Sequence, residues 1–150
     1  MKQMKNFAAL TVMFSVCIFG NTSLADSKGI IKYRQNVMKA TGSHMGAIVS
    51  ILKNRLPLKS HIVDHAHSIL QNSKMTLAMF PKNSGIGDTK AKKAIWENWS
   101  KFESATKDFI GESTKLAKLA ESGDMKAFAK QVRATGKTCG SCHKYFRKRR

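Results

Sequence analysis

The sequence predicts an all-α fold, an antiparallel up-down-up-down four-helix bundle, on three observations. Apolar residues recur at alternating spacings of three and four along four long stretches, the breaks between most of them are short, and no strand pattern interrupts them. At 150 residues the chain has room for one domain, which excludes a two-domain enzyme. Two prolines, ten glycines and 42% hydrophobic residues argue against disorder, a collagen and a disulfide-dense miniprotein.

The first stretch runs from about Gly29 to Asn54, with Ile31, Arg34, Met38, Thr41, Met45, Ile48 and Leu52 on one stripe, and Pro57 punctuates it. The second, Ser60 to Phe80, repeats the pattern through Ile62, Ala66, Ile69, Ser73, Thr76 and Phe80, and stops at Pro81. Residues 82–87 read as a loop, after which Asp88 or Thr89 is the expected N-cap of a third helix. Its stripe is Ile95, Trp99, Phe102, Thr106, Phe109, Ser113, Leu116 and Ala120. Ser122-Gly123-Asp124 breaks it, and Met125, Phe128, Val132, Thr135, Cys139, Cys142 and Phe146 mark the fourth. Such spacing suits helices crossing at ~20°. Most stripe residues are simply core, including Trp96, Trp99, Phe102 and Phe109, although so many aromatics also suit the enclosure of a large flat group.

Met1 to Ala25 reads as a secretory signal, to be removed from a mature domain spanning 26–150. Lys2 and Lys5 supply the positive start, Phe7 to Gly20 the apolar stretch, and Ser23-Leu24-Ala25 the small residues at the cleavage positions. The apolar run is short for a membrane span, which needs ~20 residues. Cys17 lies inside it, after Val16, and does not suit a lipoprotein site. Lys+Arg 27 against Asp+Glu 9 gives +18 for the chain. Cleavage removes 25 residues carrying two lysines and no acid, leaving 125 residues at +16. Of three cysteines, only Cys139 and Cys142 stay.

Cys139-Gly140-Ser141-Cys142-His143 is a C-x-x-C-H, the attachment motif of c-type haem. On a helix, Cys139 lies about 40° to one side of His143, and about 60° separates Cys139 from Cys142 on the other side. The three therefore share a face, where two thiols add across haem vinyl groups and the imidazole reaches the iron. A thioredoxin-like site requires a βαβ context and an activated thiol. A zinc site requires further ligands, and no second Cys pair or suitably spaced His pair supplies them. A bare disulfide explains neither His143 nor the core position.

With that motif the chain resembles the cytochrome c′ and cytochrome c-556 family. The likeness spans the mature sequence through Tyr33-Arg34-Gln35-Asn36-Val37-Met38-Lys39, Phe80-Pro81-Lys82, Ala94-Ile95-Trp96, Thr135-Gly136-Lys137-Thr138 and Phe146-Arg147, with the haem motif near the C-terminal end. Lys93 departs from it, standing where many relatives have proline after the Ala-Lys pair. The resemblance implies a bundle enclosing one covalently attached haem c, with Cys139 and Cys142 as thioether anchors and His143 as proximal iron ligand.

Arg34 on an apolar stripe calls for a negative partner, and the resemblance makes that a haem propionate, the alternative being a side chain snorkelling to the bundle end. Gln35 is a weaker pocket candidate on the same ground. Arg147 is expected one turn beyond His143 on the proximal side. Met38 faces the distal side in the resembled family, either as sixth ligand or as a packing residue; Met45 reads as core. His61 and His65 form an i, i+4 pair that could hold a metal ion, the alternative being a solvated pair on the helix surface, while His44 and His67 have no evident partner.

The expected function is that of an exported, periplasmic monohaem cytochrome in single-electron transfer, not an enzyme. The alternative is a five-coordinate protein binding NO or CO. Expected partners are acidic redox proteins, steered by lysine-rich faces and by residues 144–150, five of seven of them basic. A homodimer through the first two helices is a further expectation of the resemblance. Nucleic acid, suggested by charge alone, is set aside by export and by the haem motif.

Overall fold

A computed structural model describes residues 22–149. Nearly all of the expected leader therefore lies outside the described residues. The elements are α1 (Thr22–Lys53), α2 (Lys59–Lys74), a 3-10 turn at Leu77–Met79, the single-turn α3 (Ala94–Glu97), α4 (Trp99–Ser122) and α5 (Met125–Phe146). The four long helices form the bundle: α1 packs on α2, α2 on α4 and α4 on α5, whereas α1 and α5 scarcely touch. No described helix is long and apolar enough to cross a membrane.

The stripes meet as the sequence requires. Ile48 and Ile51 of α1, Ile62, Ala66 and Ile69 of α2, Leu116 and Ala120 of α4, and Phe128 and Val132 of α5 make one core. Each large side chain fully withdrawn from water contributes roughly 1.5–3 kcal/mol. Gly123, at φ +74, takes the left-handed conformation that ends α4. Asp124 then caps α5, its carboxylate accepting from the Ala127 N–H at 2.9 Å.

Two helix boundaries differ from expectation. Helix α1 starts at Thr22, ahead of Gly29, and so includes the end of the expected leader. Helix α2 stops at Lys74 instead of running to Phe80. The Ser73 hydroxyl donates to the Leu70 carbonyl, and the residue before a proline avoids helical backbone, so the chain leaves through the 3-10 turn ahead of Pro81.

Neither Asp88 nor Thr89 caps a third helix. The Thr89 hydroxyl accepts from Arg34 and from the Ala91 N–H, and residues 90–92 run beside the chain that follows α5. There Ala91 bridges Arg147, the Lys92 N–H donates to the Phe146 carbonyl at 2.9 Å, and the Lys148 N–H to the Lys90 carbonyl at 2.8 Å. The expected helix is also split at Asn98, whose φ of −129° and ψ of 51° separate α3 from α4. That break turns Trp99 off the buried stripe, to 38% exposure, while Phe102 stays in the core.

Two histidines find partners that periodicity did not reveal. His67 Nε2 meets Glu121 at 2.7 Å, and His44 Nδ1 meets His65 Nδ1 at 3.0 Å across the α1–α2 contact. Burial, with a smaller contribution from His65, holds the His44 pKa below its ordinary 6.5. A histidine that protonates less readily folded than unfolded leaves stability unaffected above about pH 6.5 and lowers it as pH falls from there through the depressed folded value. Urea midpoints are expected to decline over that window, with a shallower decline in His44→Gln. Equal slopes in the two proteins would count against this contribution.

Candidate functional site

Where α1 and α5 part, a cavity of about 610 Å³ opens. That is within the usual ~300–1,000 Å³ of cofactor pockets. Its wall is aromatic: the Phe102 ring lies 4.8 Å from Phe80 and 5.2 Å from Phe146, both edge-on. Met79 and Ile95 complete this second core, against which Val37, Met38 and Cys142 pack.

From α5, Cys142 and His143 line the cavity, and Cys139 sits one turn earlier, partly buried. No disulfide joins the two cysteines. Burial, then the neighbouring Cys139, pushes the Cys142 thiol up to about 11, and burial raises Cys139 as well. Both groups are therefore protonated at neutral pH, the opposite of the lowered thiol that disulfide exchange requires. Among the described residues no group of three or more His, Cys, Asp and Glu could hold a metal ion, which disfavours zinc. Burial and the nearby Arg147 charge lower the His143 pKa, favouring the neutral imidazole that donates to a metal.

The opposite wall comes from α1. Arg34 is only 4% exposed, so it does not snorkel. Nη1 donates to the Met79 carbonyl and the Ser84 hydroxyl, both at 3.0 Å, and Nη2 to the Ser84 carbonyl and the Thr89 hydroxyl, both at 2.9 Å. The guanidinium also lies over the Phe80 ring at 4.5 Å. These partners are all neutral, and burial lowers the Arg34 pKa, so among the described residues a buried positive charge borders the cavity without an ion-pair partner, the Asp88 side chain lying exposed on the same lining. That charge suits an anionic group of a bound cofactor. Gln35 reaches the Asp88 carbonyl at 2.9 Å from the cavity rim. Arg147 is exposed at the same rim, its N–H bonded to the His143 carbonyl. Met38 lines the cavity half-buried, whereas Met45 packs on the main bundle core.

Sequence reasoning missed the segment 80–89, which Arg34 organises from α1. The Trp96 Nε1–H donates to the carbonyls of Phe80 at 3.2 Å and Pro81 at 3.0 Å, and its ring covers Gly85. A Cβ on Gly85 would stand 2.6 Å from that ring, so the glycine is required by close approach. Gly85→Ala is expected to destabilise the protein by about 1–3 kcal/mol, the usual cost of overpacking. An unchanged thermal midpoint would refute that role. The only signal in the sequence was the glycine pair Gly85 and Gly87. A second cleft of about 600 Å³, between α4 and α5, is lined by Lys107, Lys115, Lys137 and Glu112 and offers neither thiol nor imidazole.

A bundle that leaves an aromatic cavity between its first and last helices, with the C-x-x-C-H opening onto it, defines the helical class of c-type haem proteins. Comparison with known proteins narrows that class. The family described as Cytochrome C′ matches residues 29–147. Cytochrome c′ of Rhodospirillum rubrum is 35% identical over 148 residues, covering 98% of this chain and 99% of that protein. Cytochrome c-556 of Agrobacterium tumefaciens (strain II Chrys) is 32% identical over 121 residues, 79% of this chain and 97% of that one. Among solved structures, cytochrome c prime from Shewanella frigidimarina superposes with a TM-score of 0.77 at 27% identity, covering 82% and 97% of the two chains. A mutant of cytochrome c prime from Alcaligenes xylosoxidans, solved as its nitric oxide complex, shares the fold at TM-score 0.77 and 24% identity, covering 83% and 97%. The chain belongs to the cytochrome c′ family, and its cofactor is one covalently attached c-type haem.

Proposed function

We propose that Cys139 and Cys142 are the thioether anchors and His143 the proximal iron ligand of an exported monohaem cytochrome whose task is single-electron transfer. The observation that carries this reading is that Cys142 and His143 open onto the same cavity as the buried Arg34, whose hydrogen-bond partners are all neutral. When bound, the haem supplies the one-electron chemistry. The chain's own residues do the rest. Arg34 and Gln35 receive the propionates, Phe80, Phe102 and Phe146 exclude water from the ring, and Arg147 borders the proximal side. Met38 stands on the distal side, as sixth ligand in the electron-transfer reading.

Partner docking follows from the rim. Lys90, Lys93, Lys144, Arg147, Lys148 and Arg149 are exposed around the paired segments 90–92 and 146–148, giving one strongly basic face beside the cavity. That face suits acidic redox proteins, with association slowed by salt. Export to the periplasm with cleavage after Ala25 completes the reading, and the intact mass of the purified protein tests it. Val49 at 43% and Leu58 at 38% exposure give a homodimer through α1 and α2 only scattered apolar contacts.

A second reading has its own support. Met38 packs on the aromatic cluster, and a related fold has been solved with nitric oxide. In that case Met38 is a packing residue, the iron is five-coordinate, and NO or CO binds in its place. Absorption spectra of oxidised and reduced protein, with and without CO, separate the two. Electron transfer through a six-coordinate site predicts a low-spin spectrum indifferent to CO and converted to high spin by Met38→Ala. A high-spin spectrum that shifts with CO selects the gas-binding reading, and a protein without haem absorbance ends both.

A further inference from the structure

The pair His44 and His65 lies outside everything used so far. Each histidine sits within a long helix, α1 and α2 respectively, and both are partly buried. Their Nδ1 atoms stand 3.0 Å apart, with ring centroids 5.3 Å apart and planes inclined at 50°. At that distance one ring donates an Nδ1–H and the other accepts. Imidazole nitrogens bound to a zinc-sized divalent ion lie at ~2.0–2.1 Å from it. Ligand angles between square-planar and tetrahedral then separate two such nitrogens by about 2.8–3.4 Å. That separation falls within chelating range, but the 5.3 Å between centroids puts the rings nearly head-on, as a hydrogen bond requires, so each imidazole must turn before both lone pairs converge on one ion.

We propose that His44 and His65 form a two-histidine clamp for one divalent transition-metal ion, Cu²⁺ foremost, which ties α1 to α2 at a site independent of the haem. Imidazole suits copper, nickel and zinc, and copper binds most tightly of these at a given nitrogen site. Binding through both Nδ1 atoms moves the shared proton to the donor ring's Nε2, so no proton leaves the pair. No third His, Cys, Asp or Glu joins the pair among the described residues, so water completes the coordination.

This clamp differs from the one sequence spacing suggests. His61 and His65, a turn apart on α2, are the obvious pair, yet the His65 Nδ1 faces His44, and His67 is held by Glu121. Oxidised holoprotein is the material for the test, because its cysteines are occupied by haem and do not compete for copper. Titration with CuCl₂ in a calorimeter is expected to show one saturable equivalent and to raise the thermal midpoint. The copper resonance spectrum is expected to show coupling to two nitrogens. His44→Gln and His65→Gln each lose the equivalent, and His61→Gln keeps it. Absence of a saturable equivalent in the wild type, its survival in folded His44→Gln, its loss in folded His61→Gln, or coupling to a single nitrogen would overturn the proposal.

Discussion

Replacing both thiols, Cys139→Ser with Cys142→Ser, is expected to yield a polypeptide from which all haem separates on denaturation. In the wild type the absorbance stays with the chain under the same treatment. The proposed attachment needs thiols at two positions of α5 with two residues between them, and serine oxygen does not form the thioether. Each single variant retains one bond and is expected to keep its haem with an altered reduced spectrum. Stability should fall as well, because the cavity of about 610 Å³ loses its contents and the rings of Phe80, Phe102 and Phe146 face water. A loss of about 3 kcal/mol, or ~10 °C in the thermal midpoint, is the scale expected for a domain of this size. Haem retained covalently by the double variant would remove Cys139 and Cys142 from the site.

Arg34→Ala carries the second large effect. The substitution strips partners from the Met79 carbonyl, from both oxygens of Ser84 and from the Thr89 hydroxyl, in residues all less than a tenth exposed. Each buried group left unpaired costs about 1–3 kcal/mol. Some recover other partners or water, so a total near ~3 kcal/mol is expected in urea unfolding. The segment 80–89 should also become susceptible to proteolysis. Arg34→Lys is expected to recover less than half, since one ammonium cannot serve acceptors on both sides of a planar fork. A change in stability below ~0.5 kcal/mol would show that the loop does not depend on Arg34.

The contrast between α5 and the segment 80–93 explains what the sequence could convey. Phe128, Val132 and Thr135 are buried where their spacing put them, and Asp124 caps the helix after Gly123. These are local facts, written within a turn or two of each residue. The C-x-x-C-H was legible for the same reason, since helical spacing alone puts its side chains together. Thr89 misled because its hydroxyl serves a guanidinium 55 residues away as well as its own loop. Trp99 left its stripe because of one break at Asn98. The meeting of His44 with His65 depends on how two helices are rotated against each other, which the period of either helix does not contain.

The bridge between Ala91 and Arg147 joins segments of the chain made at different times. Residues 146–148, which fasten onto 90–92, directly follow the C-x-x-C-H in the sequence. A chain emerging amino end first thus presents α1, α2 and α4 before either the haem motif or the clasp exists. The clasp brings residues 90–92 and 146–148 together at the cavity's rim only after the motif has been made. The segment 146–148 and the haem motif are thus both made after α1, α2 and α4, and in the folded protein they meet residues 90–92 at the cavity's rim.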